Sequence, residues 1–288
     1  MIHVIFPAGG FGSTIEYCLR QYTQEYYDSS LDNHTVDSRD GSVHGFVKLF
    51  HPMCKTELKK IHIVDKKITT PIYGNRDQSP QEVLDTINNL IDINDNVIFV
   101  KLNNFDESLF VWLINLYKCQ KVTTKANHHD EIISANFFHY SDNKNELEFW
   151  QKREILALNF AENSLYNLKG IKSSWISVST TDLSTNIYNK IIYIIEKLNL
   201  TLINEPKLID FCEVLYNENK KYFEKYKNVI HYSDSILNLA NYSCSDLTLF
   251  EEAMIQARLW YNGYEICCYG LNKFPENSKD LMTFVKKR

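Results

Sequence analysis

A glycine-rich segment near the amino terminus carries the residue types that bind anions. Gly9, Gly10 and Gly12 are followed at once by Ser13 and Thr14. Glycines let backbone N–H groups approach a phosphate or sulfate closely, and the N-terminus of a helix adds unpaired donors and the positive end of its dipole. The two hydroxyls add further donors. The segment predicts an anion-binding turn, although no lysine precedes the serine as a Walker A loop requires. The alternative is a tight strand-to-helix turn without a ligand.

The flanking residues predict how this turn is positioned. An apolar run, Ile2–Phe6, precedes it and is typical of a strand buried on both faces. After the turn, Ile15, Cys18, Leu19 and Tyr22 recur with the spacing of one helix face. Strand, glycine turn and helix in this order form the arrangement in which a helix N-terminus meets an anion.

Two other segments offer side chains for chemistry on a bound anion. Val43–Phe50 is predicted to be a strand. Lys48, within this strand, would supply a cation, and His51, directly after it, would supply a general base. The alternative is a solvated lysine and a turn histidine. Lys101 directly follows a second buried strand, and Ser108 falls in the first turn of the next helix, which together predict a phosphate clamp.

The rest of the chain predicts strands alternating with helices. Apolar runs at Val97–Val100 and Trp175–Ser179 indicate buried strands, Ile61–Val64 is a shorter candidate and Tyr264–Tyr269 a possible last strand. Thr180–Leu183 reads as a loop. Helical patterns run from Ser79 to Ile91, from about Asp106 to Tyr117, from Glu146 to Leu165, from Ser184 to Leu198, from Pro206 to Tyr226, from Asp234 to Asn241 and from Asp246 to Tyr261.

This alternation favours an α/β fold with three layers, a mostly parallel sheet and helices on both of its faces. Ligands of such sheets bind beyond the carboxyl ends of the strands, so the glycine turn, Lys101 and the segment after Ser179 should lie at one edge. We expect a single domain over residues 1–288, with a core at about 1–202 and a helical C-terminal extension at about 203–288.

Composition narrows the possible partners. A net charge of −5 argues against broad contact with nucleic acid or an anionic membrane, and no apolar run has the length of a membrane span. Seven cysteines without zinc-ligand spacing favour a reducing compartment, and a core strand beginning at Ile2 predicts no signal peptide, so we expect a cytoplasmic protein. Neighbouring side chains in His128–Glu131 point apart, so no metal site is expected.

In this order, these motifs resemble the P-loop sulfotransferase family. Gly12-Ser13-Thr14 is similar to the Gly-Thr-Thr end of the family's loop. Val100–Ser108 is similar to the strand, arginine and serine that hold the 3′-phosphate of the sulfate donor, with lysine in place of arginine and a spacing one residue shorter. Val178–Leu183 and Ile194–Leu200 look like the family's later strand, acidic loop and long helix. The resemblance extends over roughly Ile2–Leu202.

The resemblance implies that the protein binds 3′-phosphoadenylyl sulfate as co-substrate through Gly9, Gly10, Gly12, Ser13, Thr14, Lys101 and Ser108. It also implies transfer of the sulfuryl group to a hydroxyl of a small molecule or glycan, with His51 and Lys48 as the catalytic pair. Gly10 stands where the family usually has lysine or arginine. Whether the protein is an enzyme is therefore open. The alternatives are a non-catalytic nucleotide- or anion-binding or assembly protein of the same fold, and a P-loop nucleotide kinase; the oligomeric state is also open.

Overall fold

The computed structural model describes residues 2–7, 10–29, 58–64, 80–122, 153–154, 156–158, 161, 168–267 and 274–288. Gly9, Lys48, His51 and the predicted strand Val43–Phe50 lie outside the described residues. The chain forms two compact units. The first unit comprises Met1–Glu107 and Leu165–Lys221, and the second comprises Ser108–Ser164 and Tyr222–Arg288.

The first unit contains a four-stranded sheet. Its strands are β1 (Ile2–Pro7), β2 (Leu58–Val64), β3 (Asn96–Lys101) and β4 (Ile176–Ser179), arranged in the order β2-β1-β3-β4. Strands β1, β3 and β4 are parallel to one another, whereas β2 pairs antiparallel with β1. The predicted α/β class with parallel strands is confirmed for β1, β3 and β4, and the strand predicted at Ile61–Val64 runs against them.

Strands β1 and β3 are buried on both faces, as their uninterrupted apolar runs predict. Successive residues of a strand point to opposite faces, and every residue of both Ile2–Phe6 and Val97–Val100 is buried. Trp175 covers one end of β4, where its ring lies 5.8 Å from that of Phe99. The interior of the first unit is therefore built around these two central strands.

Six helices accompany these strands along the described part of the chain: α1 (Gly12–Tyr22), α2 (Pro80–Leu90), α3 (Phe105–Val122), α4 (Thr180–Thr185), α5 (Ile187–Lys197) and α6 (Glu205–Leu237). The predicted helices match α1, α2, α3 and α5 closely. The two helices predicted over Pro206–Tyr226 and Asp234–Asn241 are one continuous helix, α6, which ends at Leu237.

The loop predicted at Thr180–Leu183 is wrong, because a short helix, α4, begins directly after β4. The Ser179 hydroxyl accepts a hydrogen bond from the backbone N–H of Asp182 at 3.0 Å, which caps this helix. The helix predicted from Ser184 begins later, at Ile187, because Ser184 lies inside α4 and Asn186 separates α4 from α5.

Helix α1 is anchored inside the first unit by aromatic contacts. The ring of Tyr17 lies 4.9 Å from that of Phe211 on α6, and Tyr22 lies 6.0 Å from the same phenylalanine. Beyond the helix, the backbone at Thr23 bridges to Leu202. These contacts fix the direction of α1, and hence the position of its N-terminus, relative to the sheet.

The amino edge of the sheet carries a partly buried hydrogen-bonded pair, His3 and Asp95. His3 Nε2 on β1 lies 2.8 Å from Asp95 Oδ2, just before β3. Burial acts to raise the pKa of Asp95, but the hydrogen bond and charge of His3 oppose it, and the pKa is lowered on balance. The pair therefore joins the starts of the two central strands.

The second unit contains α7 (Leu249–Tyr261), β5 (Tyr264–Ile266), α8 (Ser278–Met282) and β6 (Val285–Lys287). The strand predicted at Tyr264–Tyr269 is confirmed over Tyr264–Ile266, but it is not the last, because β6 follows it and pairs antiparallel with it in a separate two-stranded sheet. Helix α7 ends at Tyr261, and Asn262 and Gly263 follow it; Gly263 has a φ of 84°, the left-handed conformation that favours glycine after a helix.

Helix α7 is buried along its length, including several polar side chains. Arg153 is fully buried, its NH1 atom lies 4.0 Å from Glu252 Oε2, and its guanidinium lies 5.1 Å from the centre of the Phe274 ring. Arg258 NH1 donates a 2.6 Å hydrogen bond to Asp234 Oδ1. A buried charge is retained only with such partners, so these contacts define the packing around α7.

None of the helices within the described residues combines the length and apolar composition needed to cross a membrane.

Candidate functional site

The carboxyl ends of three parallel strands meet at one edge of the sheet. Ile5 of β1 pairs with Phe99 of β3, and Lys101 at the end of β3 pairs with Ser179 at the end of β4. The turn at residues 10–14, Lys101 and the start of α4 follow the ends of these strands and therefore belong to the same edge of the sheet. We call the turn at 10–14, Lys101 and Glu107 the carboxyl-edge site.

The N-terminus of α1 has the features of an anion-binding helix end. Its N-cap residue, Phe11, provides no side-chain hydrogen bond, and its first turn contains no acidic residue. The first intrahelical bond is donated by the N–H of Ile15 to the carbonyl of Phe11, at 3.0 Å. The N–H groups of Gly12, Ser13 and Thr14 come before it, so no helical carbonyl is available to them.

Packing explains why a glycine occupies position 12. A Cβ atom built on Gly12 would lie 1.9 Å from Cδ1 of Phe6, which is far inside van der Waals contact. Gly10 and Phe11 are also buried, and Phe11 adopts the left-handed conformation with φ 62°. The turn is therefore closely packed against β1, and Gly12 is required there with or without a ligand.

Lys101 provides a positive charge at the same edge. Its side chain is half-buried, and within the described part of the chain it makes no hydrogen bond or ion pair. A cation at the end of a strand next to the N-terminus of α1 adds to the positive potential of that edge.

A buried carboxylate that the sequence analysis did not single out holds two turns of this edge together. Glu107 Oε2 accepts a 2.6 Å hydrogen bond from the N–H of Asn103, and Oε1 accepts from Asn103 Nδ2 and from Thr181 Oγ1, each at 2.9 Å. The N–H of Glu107 donates to Oδ1 of Asn104 at 2.9 Å. An asparagine followed three residues later by glutamate is a helix-start signal, and it could have identified this residue.

The structure places the other predicted residues as follows. Thr14 is buried in the first turn of α1, and Ser13 is the second residue of that helix. Ser108 is buried in α3 in the second unit, and its Oγ has no hydrogen-bond partner among the described residues. The phosphate clamp formed by Lys101 and Ser108 stays a prediction.

Arg20 does not replace the cation that is missing at Gly10. It lies in the last turn of α1, eight residues after the first, or about 12 Å along the helix. Its Nε atom is 3.2 Å from Glu16 Oε1, and its NH1 atom is 3.8 Å from Asp28 Oδ2. Arg20 is thus held at the opposite end of α1 by two carboxylates.

The buried thiols of the first unit are unsuited to nucleophilic chemistry. Burial raises the pKa of Cys212 to about 12, and it also raises the pKa of Cys18, with a smaller contribution from Cys212. A thiol attacks as the thiolate, so neither cysteine is reactive near neutral pH. Within the described ranges, no group of three or more histidine, cysteine or acidic side chains is arranged to hold a metal ion.

The chain matches no family model, no curated protein and no solved structure. The resemblance to P-loop sulfotransferases therefore stays a hypothesis, and the functional argument depends on the carboxyl-edge site.

Proposed function

We propose that the protein binds a phosphorylated nucleotide at the carboxyl-edge site. The observation that carries the proposal is the combination of an uncapped α1 N-terminus and an unpaired Lys101, among the described residues, on adjacent parallel strands. Backbone donors with a nearby cation are the usual partners of phosphate oxygens. Glu107 makes no ion pair with Lys101 among the described residues, and its carboxylate accepts hydrogen bonds from Asn103 and Thr181.

The proposed nucleotide is 3′-phosphoadenylyl sulfate or its desulfated product, adenosine 3′,5′-bisphosphate. This choice follows the resemblance of Gly12-Ser13-Thr14 and of the Lys101 segment to sulfotransferase motifs. The reaction would be direct transfer of the sulfuryl group to an acceptor hydroxyl, with His51 as base and Lys48 as cation. Such transfer needs positive charge around the bridging oxygen, by the same logic as phosphoryl transfer.

A second candidate is a nucleotide-binding protein that does not catalyse transfer. It is favoured by Gly10, which offers no charge, and by Arg20, which is engaged at the far end of α1. The absence of one stabilising group from a transition state costs about 3 kcal/mol, or more than a hundredfold in rate. Lys48 is the remaining candidate for this role.

The test is calorimetric titration of the full chain with adenosine 3′,5′-bisphosphate and, separately, with ATP and magnesium. We expect micromolar binding of the bisphosphate and a loss of at least about tenfold in Lys101→Ala, since a charge-assisted hydrogen bond contributes about 1.5–3 kcal/mol. Lys172→Ala is the matched control. It removes the same charge from an exposed lysine that precedes β4, at the amino edge of the sheet.

The outcomes separate the candidates. Bisphosphate binding, together with transfer of a labelled sulfuryl group from 3′-phosphoadenylyl sulfate to an acceptor hydroxyl with the bisphosphate as leaving group, supports the enzyme. Binding without transfer supports the non-catalytic protein. Preference for ATP with magnesium and its hydrolysis would favour the kinase alternative. Equal affinity in Lys101→Ala and wild type, or no binding of either nucleotide, would overturn the proposed site.

A further inference from the structure

A second concave surface in the first unit lies between α6 and the junction of α4 with α5. It has a volume of about 520 Å³, within the range of small-molecule sites. One wall is a single face of α6, with Ile209, Cys212 and Tyr216 at helical spacing, and the other includes Ile187 and Tyr188. We call this surface the tyrosine groove.

The two tyrosines offer aromatic faces. The hydroxyl of Tyr188 donates a 2.5 Å hydrogen bond to Glu205 Oε1, which restricts the orientation of that ring. Tyr216 is 41% exposed, and Ile209 beside it is 39% exposed. Exposed aromatic and aliphatic groups on one concave surface favour a ligand with an apolar face of its own.

The polar lining of the groove is rich in uncharged hydrogen-bonding groups. Asn186 and Asn217 provide amides and Thr185 a hydroxyl, and neither lysine nor arginine lines the groove. Its one charged side chain is Glu213, which, like Asn217, has no hydrogen-bond partner among the described residues. A lining of negative sign disfavours phosphate, sulfate and carboxylate ligands. A wholly apolar partner would bury these polar groups without hydrogen bonds, which is costly.

We propose that the tyrosine groove binds a neutral sugar residue of an oligosaccharide. A pyranose ring has an apolar C–H face that packs on tyrosine and a rim of hydroxyls that both donate and accept hydrogen bonds. Amides and a carboxylate match that rim, since the amides offer donors and acceptors and the carboxylate accepts from hydroxyls. An ammonium ligand would use the acceptors and leave the amide donors unused.

The position of the groove connects it to the carboxyl edge. Helix α4 begins at Thr180, directly after β4, and ends at Thr185 in the groove, about 8 Å further along its axis. A glycan bound in the groove would thus start close to the edge at which the nucleotide is proposed to bind. Only this link depends on the proposed function, because sugar binding is measured without nucleotide.

The test is saturation-transfer NMR on the full chain with a panel of neutral tetrasaccharides of glucose, mannose, xylose and N-acetylglucosamine at millimolar concentration. We expect at least one sugar to receive saturation and its affinity to fall about tenfold in Tyr216→Ala, which removes an aromatic face. Tyr193→Ala is the matched control, because Tyr193 is 38% exposed on α5 and is not part of the groove lining. Ile209→Arg is a second variant that fills the groove from the same helix face.

Binding of a cationic ligand and formation of a dimer are the two alternatives to sugar binding at the groove. Glu213→Gln should retain sugar binding within a few-fold, because an amide oxygen still accepts from hydroxyls, whereas it would abolish binding of choline used as a cationic probe. The proposal is overturned if no sugar of the panel binds, or if binding is equal in Tyr216→Ala and Tyr193→Ala. It is also overturned if the protein binds choline alone, or if light scattering shows a dimer that Tyr216→Ala dissociates.

Discussion

Replacing Gly12 by alanine should destabilise the first unit through a clash with β1. The added Cβ would lie 1.9–2.2 Å from three atoms of the Phe6 ring, so the ring would have to retreat by about 1.5 Å to restore ordinary contact. Phe6 is 3% exposed in a fully buried strand, which leaves it little room to move. Overpacking of this kind costs up to about 3 kcal/mol, and the higher helix propensity of alanine returns at most about 1 kcal/mol. The expected net loss is about 2 kcal/mol.

The measurement is urea unfolding followed by circular dichroism, with hydrogen exchange of peptides from β1 to assign the loss to the first unit. The control is a double-mutant cycle with Phe6→Ala, which removes all three ring atoms that the added Cβ would contact. Phe6→Ala alone should cost about 3–5 kcal/mol because it leaves a cavity, and Gly12→Ala should cost much less in that background than in wild type.

The result also decides between two reasons for this glycine. If Gly12→Ala left stability within about 0.5 kcal/mol of wild type but abolished nucleotide binding, a close approach of phosphate would explain the glycine and the packing argument would be refuted. If the cost of Gly12→Ala were the same in the Phe6→Ala background as in wild type, the clash would lie elsewhere. Loss of stability with rescue would show that this feature of the turn is required by the fold.

Three further changes test other contacts. The pKa of Asp95 is lowered in the folded state, so its charged form adds stability above about pH 4, and this stability is lost as the pH falls. Between about pH 7 and pH 3, the free energy of unfolding of wild type should fall by about 1 kcal/mol more than that of Asp95→Asn, measured by urea titration. Glu252→Gln removes the negative charge that lies 4.0 Å from the buried Arg153 NH1 atom and should cost about 1–3 kcal/mol in the same assay. Thr248→Ala removes the N-cap of α7 and should cost about 1 kcal/mol, measured as a lower melting temperature.

Each of these three predictions has a control variant. Asp92→Asn changes an exposed carboxylate beside Asp95 and should leave the acid sensitivity of wild type in place. Replacing Arg153 by methionine and Glu252 by leucine together should cost less than Glu252→Gln alone, because both charges of this pair are then removed together. Thr248→Ser keeps the capping hydroxyl and should retain most of the stability. The opposite ranking in any of these comparisons would contradict the corresponding contact.

Local sequence patterns alone were enough to predict the central strands and the first helix of this protein. The unbroken apolar run of β1, the glycines after it and the helical spacing of Ile15, Cys18 and Leu19 predicted strand, turn and helix within one or two residues. The apolar runs of β3 and β4 likewise predicted these two strands. Because parallel strands place their carboxyl ends at one edge, these elements were enough to assign Lys101 and the glycine turn to the same edge of the sheet.

Contacts between distant residues decided the rest. Several features depend on contacts between segments that are far apart in the sequence and that periodicity treats separately. They are the direction of β2, the Phe6 ring behind Gly12, the hydrogen bond from Thr181 to Glu107, the buried Arg153 and the pairing of β5 with β6. A short polar stretch such as Thr180–Leu183 reads as a loop until Ser179 caps it as a helix. Periodicity shows which face of a helix or strand is apolar. The segment that covers this face is selected by packing and by hydrogen bonding of buried polar groups, and both depend on residues that only the tertiary structure brings together.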